Sequence, residues 1–173
     1  MVPRQPWFER QFTFDLPVSA AAGLVERLRG TPPRLEHRLH GLPASRLTAR
    51  RDGRWSMQEN VGHLGDLEPL WMSRIDDIAV GRLTLQTADL ENRRTHEANH
   101  NGRSLADLLA DFRTARTELV AQLEAADTAD WMRAARHPRL EVNMRLLDLA
   151  FFVAEHDDHH LATITELLWH TAE

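Results

Sequence analysis

The sequence predicts an all-α fold, a four-helix bundle, on three observations. Apolar residues recur at helical spacing in four segments, and no segment shows the alternation typical of a β-strand. Capping residues and glycines bound these segments. The chain has 173 residues, 42% hydrophobic and 27% charged, which is the size and balance of one globular domain. We therefore expect residues 1–173 to form a single bundle domain.

The first helix is predicted over residues 16–29, with Gly30 as its stop signal. Thr31 and Pro32 have the residue types of an N-cap and of a first helical position, and a new helix can start there. This pattern predicts a short extra helix after the first, ending near Gly41.

The second main helix has the clearest start signal in the chain. Ser56 and Glu59 have the spacing of a capping box, in which each side chain bonds the backbone N–H of the other residue. The helix should reach about Val80, and Pro69 should kink it or split it in two.

Two further amphipathic helices complete the bundle. Residues 81–102 are mostly polar and predict either a functional loop or a marginal helix. A third helix is expected to start at Ser104, and a fourth to run over residues 143–169. Four amphipathic helices in one small domain favour a helical bundle.

The composition removes several kinds of chemistry. All 21 basic residues are Arg, and the chain has no Lys, Cys or Tyr. A Cys nucleophile, a Schiff-base Lys, a Tyr acid and a thiolate metal site are therefore excluded. Ten His residues remain as the most conspicuous reactive groups.

Charge and hydropathy also restrict the partners. The net charge of −5 speaks against nucleic-acid binding through bulk positive charge. The longest uncharged run covers residues 16–25, about half of the roughly 20 residues that a membrane span needs. We expect a cytoplasmic protein with a small-molecule substrate and no nucleic-acid or membrane partner.

Three His residues are predicted to face the core. His156 and His160 are four residues apart, so they lie on one face of the fourth helix, within its apolar stripe. His63 lies on the apolar face of the second helix. Together they would form a three-ligand site for a divalent transition metal such as Zn, Ni or Fe, with positions left open. The alternative is three core histidines, each hydrogen-bonded to a buried group.

A second histidine pattern lies in the polar connection. Residues 96–100 read His-Glu-Ala-Asn-His and match the H-E-x-x-H signature of zinc proteases. The polar flanks and Gly102 speak against the buried helix that this signature needs. The segment is then either a polar loop, or a loop over the metal site that lends His96, Asn99 or His100 to a substrate.

Two residues beside the predicted ligands are candidates for proton transfer. Glu59 lies one turn before His63 and could act as a proton carrier, although its capping role also explains it. His159 lies at the edge of the stripe next to His160. It could line the site as a catalytic residue or be a solvated edge residue.

Two stretches resemble the DinB-like (DinB/YfiT) superfamily of metal-binding four-helix bundles, which includes thiol-dependent S-transferases. They are residues 55–64 (WSMQENVGHL) and residues 156–164 (HDDHHLATI). The resemblance implies an up-down-down-up bundle with a long crossover. It also implies that His63, His156 and His160 bind a divalent metal, and that the protein forms a homodimer.

The resemblance further implies a metal-dependent thiol S-transferase acting on small electrophiles. Because the chain has no Cys, the sulfur would come from a low-molecular-weight thiol such as bacillithiol, mycothiol or glutathione. Arg93, Arg94 or Arg103 could hold its carboxylates. The alternatives are a metal-dependent hydrolase of the same fold and a non-catalytic metal-binding stress-response bundle.

Overall fold

The computed structural model describes residues 4–170. Two short strands, β1 (Ala134–Arg136) and β2 (Asn143–Arg145), pair antiparallel with Ala135 opposite Met144. The helices are α1 (Ala21–Arg29), α2 (Thr31–Leu39), α3 (Ala44–Leu47), α4 (Met57–Ala79), α5 (Arg93–Glu97), α6 (Leu105–Ala125), α7 (Thr128–Met132) and α8 (Leu146–His170). Within residues 4–170, none of the helices combines the length and hydropathy of a membrane span.

Helices α4 and α6 are neighbours and run in the same direction. Glu68 contacts Arg116, and two turns further along both helices Asp76 contacts Gln122. Parallel neighbours cannot be joined by a tight turn, because the chain must return along the length of the bundle. Residues 80–104 make this return, and they carry α5.

Helix α8 runs antiparallel to α4, because Asn60 contacts His160 whereas Trp71, later in α4, contacts Phe152, earlier in α8. The chain through α1 and the extra helix α2 runs parallel to α8, because Arg27 contacts Glu155 and Arg38, further along, contacts Thr165. The directions are therefore up, down, down and up, and the predicted bundle with a short helix after the first is confirmed.

A buried ionic layer divides the apolar core into two clusters. Its members are Thr31 on α2, Glu68 on α4, Arg116 on α6 and Asp157 on α8, and each lies between residues of the two clusters along the chain. The Arg116 guanidinium donates to Glu68 Oε1 at 2.6 Å and to Asp157, which also accepts from Thr31 Oγ1 at 2.7 Å. Burial alone would lower the pKa of Arg116, but the two carboxylates outweigh burial and raise it.

The predicted start of α4 is confirmed in detail. Ser56 Oγ accepts from the backbone N–H of Glu59 at 3.1 Å, and Glu59 Oε2 accepts from the N–H of Ser56 at 2.8 Å. The helix is continuous from Met57 to Ala79, so Pro69 does not split it.

Three expectations about the elements were wrong. The first helix begins at Ala21 rather than near residue 16, because the chain after Pro17 first makes a 3-10 turn. The fourth helix begins at Leu146, since the three preceding residues form β2. The strands themselves were not expected, because a pairing of three residues leaves no detectable alternation in the sequence.

Candidate metal centre

The structure brings the three inward-facing histidines together. His63 on α4 and His156 and His160 on α8 are buried, and one nitrogen of each lies within 4.8 Å of the others. The Nε2 atoms of His156 and His160 are 3.2 Å apart. Two nitrogen ligands on a tetrahedral zinc ion are separated by about 3.3 Å. Among the side chains of residues 4–169, no other such His, Cys, Asp or Glu group occurs.

The protonation of His160 is fixed by Asn60. The Asn60 amide nitrogen donates to the Ser56 carbonyl at 2.8 Å, so its Oδ1 is free to accept. This oxygen lies 2.8 Å from His160 Nδ1, which must therefore carry the proton. The lone pair of His160 is on Nε2, the nitrogen that faces His156.

A second chain of hydrogen bonds orients His63. The Thr95 hydroxyl donates to Asp66 Oδ2 at 2.8 Å and lies 3.0 Å from His63 Nδ1. Because the hydroxyl has its proton on Asp66, it accepts from His63 Nδ1, which leaves Nε2 with the lone pair. Such outer partners are typical of histidines that bind metals.

His156 completes the donor set and is not satisfied by protein groups. Its Nδ1 atom is buried without a hydrogen-bond partner, and its Nε2 faces the Nε2 lone pair of His160. Burial lowers the pKa of both imidazoles well below the ordinary value, so they are neutral. Burial likewise lowers the pKa of His63 to about 4. Three neutral imidazoles with converging nitrogens fit a divalent transition metal.

The cluster opens onto a cavity of about 540 Å³. Aromatic rings surround the histidines. Trp55 lies 4.6 Å from the His63 ring, and Trp7 and Trp71 lie 5.0 and 5.7 Å from the His156 ring. Of the residues that the structure describes, the charged ones lining the cavity are Arg4, Arg54, Arg74, Arg139 and one carboxylate, Asp89. The cavity is thus largely apolar with an excess of positive charge.

The DinB superfamily model matches residues 27–164, a stretch that contains all three histidines. The chain belongs to the DinB superfamily. This assignment confirms the family resemblance of the two motifs.

Two solved structures have a similar fold. YfiT from Bacillus subtilis, described as a probable metal-dependent hydrolase with an unusual four-helix bundle topology, is 21% identical with a TM-score of 0.82. The match covers 95% of this chain and 94% of YfiT. A mycothiol-dependent maleylpyruvate isomerase is 12% identical with a TM-score of 0.64, covering 91% of this chain and 63% of the isomerase. No curated protein sequence matches the chain.

The two candidates for proton transfer occupy different places in this DinB protein. His159 is half-buried and lines the cavity, with Arg4 Nη1 2.8 Å from its Nδ1. Burial and the Arg4 charge lower the pKa of His159 to about 4. Glu59 lies outside the cavity, bonded to Ser56 and Arg50. Burial alone would raise the pKa of Glu59, but these bonds outweigh burial and hold it at about 2.

The crossover does not present its histidines to the cavity. Helix α5 ends at Glu97, and Asn99 takes a positive φ of 49°, so His96 and His100 do not lie on one helix. His96 is exposed, whereas His100 is buried with Nε2 2.8 Å from Asp66. The zinc-protease alternative is therefore wrong. A substrate-binding role for His96, Asn99 and His100 stays a prediction, since none of them lines the cavity.

The arginines expected to hold a thiol do not line the cavity and are paired with carboxylates of the crossover, of α4 and of α6. These pairs are Arg93–Glu91, Arg94–Asp66 and Arg103–Asp111. Four other arginines line the cavity, Arg4, Arg54, Arg74 and Arg139, and the sequence analysis assigned a role to none of them. Nothing in their local sequence distinguishes them, because the cavity is formed by contacts between distant segments.

The buried neutral histidines predict a pH dependence of stability for the metal-free protein. Each has a lower pKa when folded than the 6.5 expected when exposed, so the unfolded chain binds more protons in acid. The free energy of unfolding should fall as pH decreases from about 6.5 towards 4, by up to about 1.4 kcal/mol per pH unit for each imidazole.

Urea denaturation of EDTA-treated protein at a series of pH values would measure this dependence. A variant with Gln at positions 63, 156 and 160 should show a shallower slope. A flat profile between about pH 7 and pH 5 would contradict the assignment of three neutral buried imidazoles.

Proposed function

We propose that the chain is a metal-dependent enzyme that holds zinc, nickel or iron through His63, His156 and His160. The observation that carries the proposal is the set of three neutral, converging imidazoles at the wall of a cavity. When bound there, a divalent cation lowers the pKa of a coordinated thiol or water, which makes it nucleophilic at neutral pH.

We further propose that the nucleophile is a low-molecular-weight thiol of the bacillithiol, mycothiol or glutathione type, and that the reaction is S-transfer to a small electrophile. The chain has no Cys, so the sulfur must enter with a cosubstrate. A volume of about 540 Å³ lies within the range of small-molecule sites and leaves room for two reactants. The mycothiol-dependent isomerase of similar fold supports this proposal.

The residues around the cluster have separate tasks in this reaction. Asn60 and Thr95 hold His160 and His63 in the tautomer that presents Nε2. The rings of Trp7, Trp55 and Trp71 exclude water and pack against the reactants. His159 is neutral and lies next to the cluster, so it accepts the proton of the incoming thiol. Because its pKa is about 4, it passes that proton on to solvent.

Hydrolysis is the second candidate reaction. A neutral His159 at the cavity can accept a proton from water as well as from a thiol. The description of YfiT as a probable metal-dependent hydrolase supports this candidate. Turnover of an ester panel by metal-loaded protein without thiol would favour hydrolysis, and turnover that requires thiol would favour transfer. Neither activity with a fully metallated protein would favour the non-catalytic alternative.

Metal content is the first test of the proposal. We expect about one transition-metal ion per chain in the wild type and background levels in His63→Ala, because two remaining imidazoles bind weakly. His37→Ala is the matched control, since His37 is an exposed histidine of α2 far from the cluster. Elemental mass spectrometry of tag-free protein measures all three. A metal-free wild type after Zn and Ni supplementation would overturn the proposal.

A further inference from the structure

A second polar cluster lies at the wall of the same cavity, formed by Arg74, His137 and Arg139. Arg74 has only 1% of its surface exposed and forms no ion pair with a carboxylate in the part of the chain that the structure describes. Its Nε donates to the Gln86 carbonyl at 2.9 Å, and its Nη1 lies 3.1 Å from His137 Nε2. The Nη2 atom of Arg139 is buried and has no hydrogen-bond partner among the described side chains and backbone. The cluster therefore has an excess of donors.

The contacts of His137 show that an acceptor is missing. Its Nδ1 accepts from the backbone N–H groups of Arg139 and Leu140, both at 3.2 Å. A neutral imidazole has one lone pair, so the proton of His137 is on Nε2. This N–H faces the N–H groups of Arg74 at 3.1 Å, an arrangement of two donors without an acceptor. An anion between them would satisfy both.

The electrostatics of the cluster lead to the same conclusion. Burial, and then the charge of Arg139, lower the pKa of Arg74 to about 10. Burial, Arg74 and Arg139 lower the pKa of His137 to about 4. Burial also lowers the pKa of Arg139. All three groups are thus in an environment that disfavours their positive charge, and a bound anion would reverse this.

The nearby carboxylates do not neutralise the cluster. Asp77 is 3.0 Å from Arg82 and accepts from the backbone of Gln86. Asp89, which lines the cavity, accepts from the backbone N–H groups of Glu91 and Arg93. Both carboxylates are therefore occupied by other donors.

We propose that Arg74, His137 and Arg139 bind the carboxylate of a small organic acid whose apolar part lies along Trp71 and Phe152. Trp71 contacts both ends of this path, with the Arg74 guanidinium 5.4 Å from its centroid and the His156 ring 5.7 Å away. One aromatic ring thus separates the anion site from the histidine cluster. A planar guanidinium matches a carboxylate, and the aromatic wall favours an acid with an apolar body over a bare inorganic anion.

The anion site is inferred from the contacts of Arg74, His137 and Arg139 alone. The further conclusion that the bound acid is the substrate rests on the proposed function. In that case the carboxylate end is held by the arginines, and the reacting end extends to the three histidines. The enzyme would then select anionic substrates over their neutral esters and amides.

Binding of benzoate to the metal-free protein of residues 1–173 tests the site without an activity assay and without coordination to a metal. Isothermal titration calorimetry should show benzoate bound at least about tenfold more tightly than benzamide, its neutral counterpart. Arg139→Gln should weaken benzoate binding by about tenfold and leave benzamide unchanged. Arg136→Gln, which removes an exposed charge from neighbouring β1, should leave both unchanged.

The outcomes separate this inference from the proposed function. Arg74→Gln should also lose its affinity for benzoate. Because Arg74 is buried and its loss can prevent folding, Arg139→Gln is the variant that decides whether the anion site exists. Equal binding of benzoate and benzamide, or wild-type affinity in Arg139→Gln, would overturn the anion site. Binding of inorganic phosphate but not of benzoate would contradict the proposal that the ligand is an organic acid. Benzoate binding by a protein that never takes up metal would leave the site intact and refute the metal enzyme.

Discussion

Replacing Arg116 with Met is expected to lower the free energy of unfolding by about 3–5 kcal/mol. The substitution keeps most of the side-chain volume but leaves Glu68 and Asp157 facing each other without a cation. Both carboxylates have only 1% of their side-chain surface exposed, so water cannot replace the lost hydrogen bonds. Urea denaturation at pH 7 would measure the loss.

Two further variants show whether the buried layer is responsible. Arg113→Met removes an exposed arginine of the same helix, paired with Glu36, and should change the stability by less than about 1 kcal/mol. Replacing Arg116 with Met together with Glu68 and Asp157 by Leu should recover much of the loss, because no unpaired charge remains. A loss in Arg116→Met no larger than in Arg113→Met would show that the layer contributes little.

His160→Ala is expected to weaken metal binding by more than about 100-fold. Loss of an outer hydrogen-bond partner typically costs 10- to 100-fold in metal affinity, and loss of a ligand should cost more. In the cobalt-substituted wild type, added thiol should also change the visible absorption spectrum, and this change should be absent in the variant. Competition with a chelator and absorption spectroscopy measure the two effects.

His159→Ala is a control that distinguishes the loss of a metal ligand from the loss of a histidine that only lies near the metal site. His159 is the chain neighbour of His160 and lines the same cavity, but it is not part of the three-histidine group. This variant should keep its metal, because all three ligands remain. If the His160→Ala protein binds cobalt as tightly as the wild type, His160 is not a metal ligand.

The sequence predicts most of the bundle because the signals that start, stop and orient a helix lie within a few residues of one another. The capping box of Ser56 and Glu59 and the four-residue spacing of His156 and His160 are both short-range signals. They were sufficient to place α4 and to put two imidazoles on one face of α8. The inward position of His63 also followed from helical periodicity.

The rest depends on contacts between segments far apart in the chain. Thr95 is 32 residues from His63, and no local pattern indicates that its hydroxyl orients that ring. The pairing of Arg74 with His137 spans 63 residues for the same reason. The strand β2 could not be predicted from the sequence either, because its three residues form a strand only by pairing with β1.

The segment at residues 96–100 shows the opposite error, in which a local pattern has no structural counterpart. The H-E-x-x-H signature requires one continuous helix. In this chain the left-handed conformation of Asn99 ends the helix between the two histidines. The polar neighbours of the motif were the correct warning, because a buried helix needs an apolar face.

The position of the three histidines has a consequence for the physics of the whole chain. His63 and His160 close a loop of about one hundred residues, so an ion held by both would act as a removable cross-link, restricting the unfolded ensemble as a disulfide does. A ligand that binds only the folded state at 100 times its Kd adds about 2.7 kcal/mol of stability. Metal supply would then govern how long the protein resists proteolysis as well as whether it is active. The chain has no cysteine, so no disulfide can supply this cross-link instead.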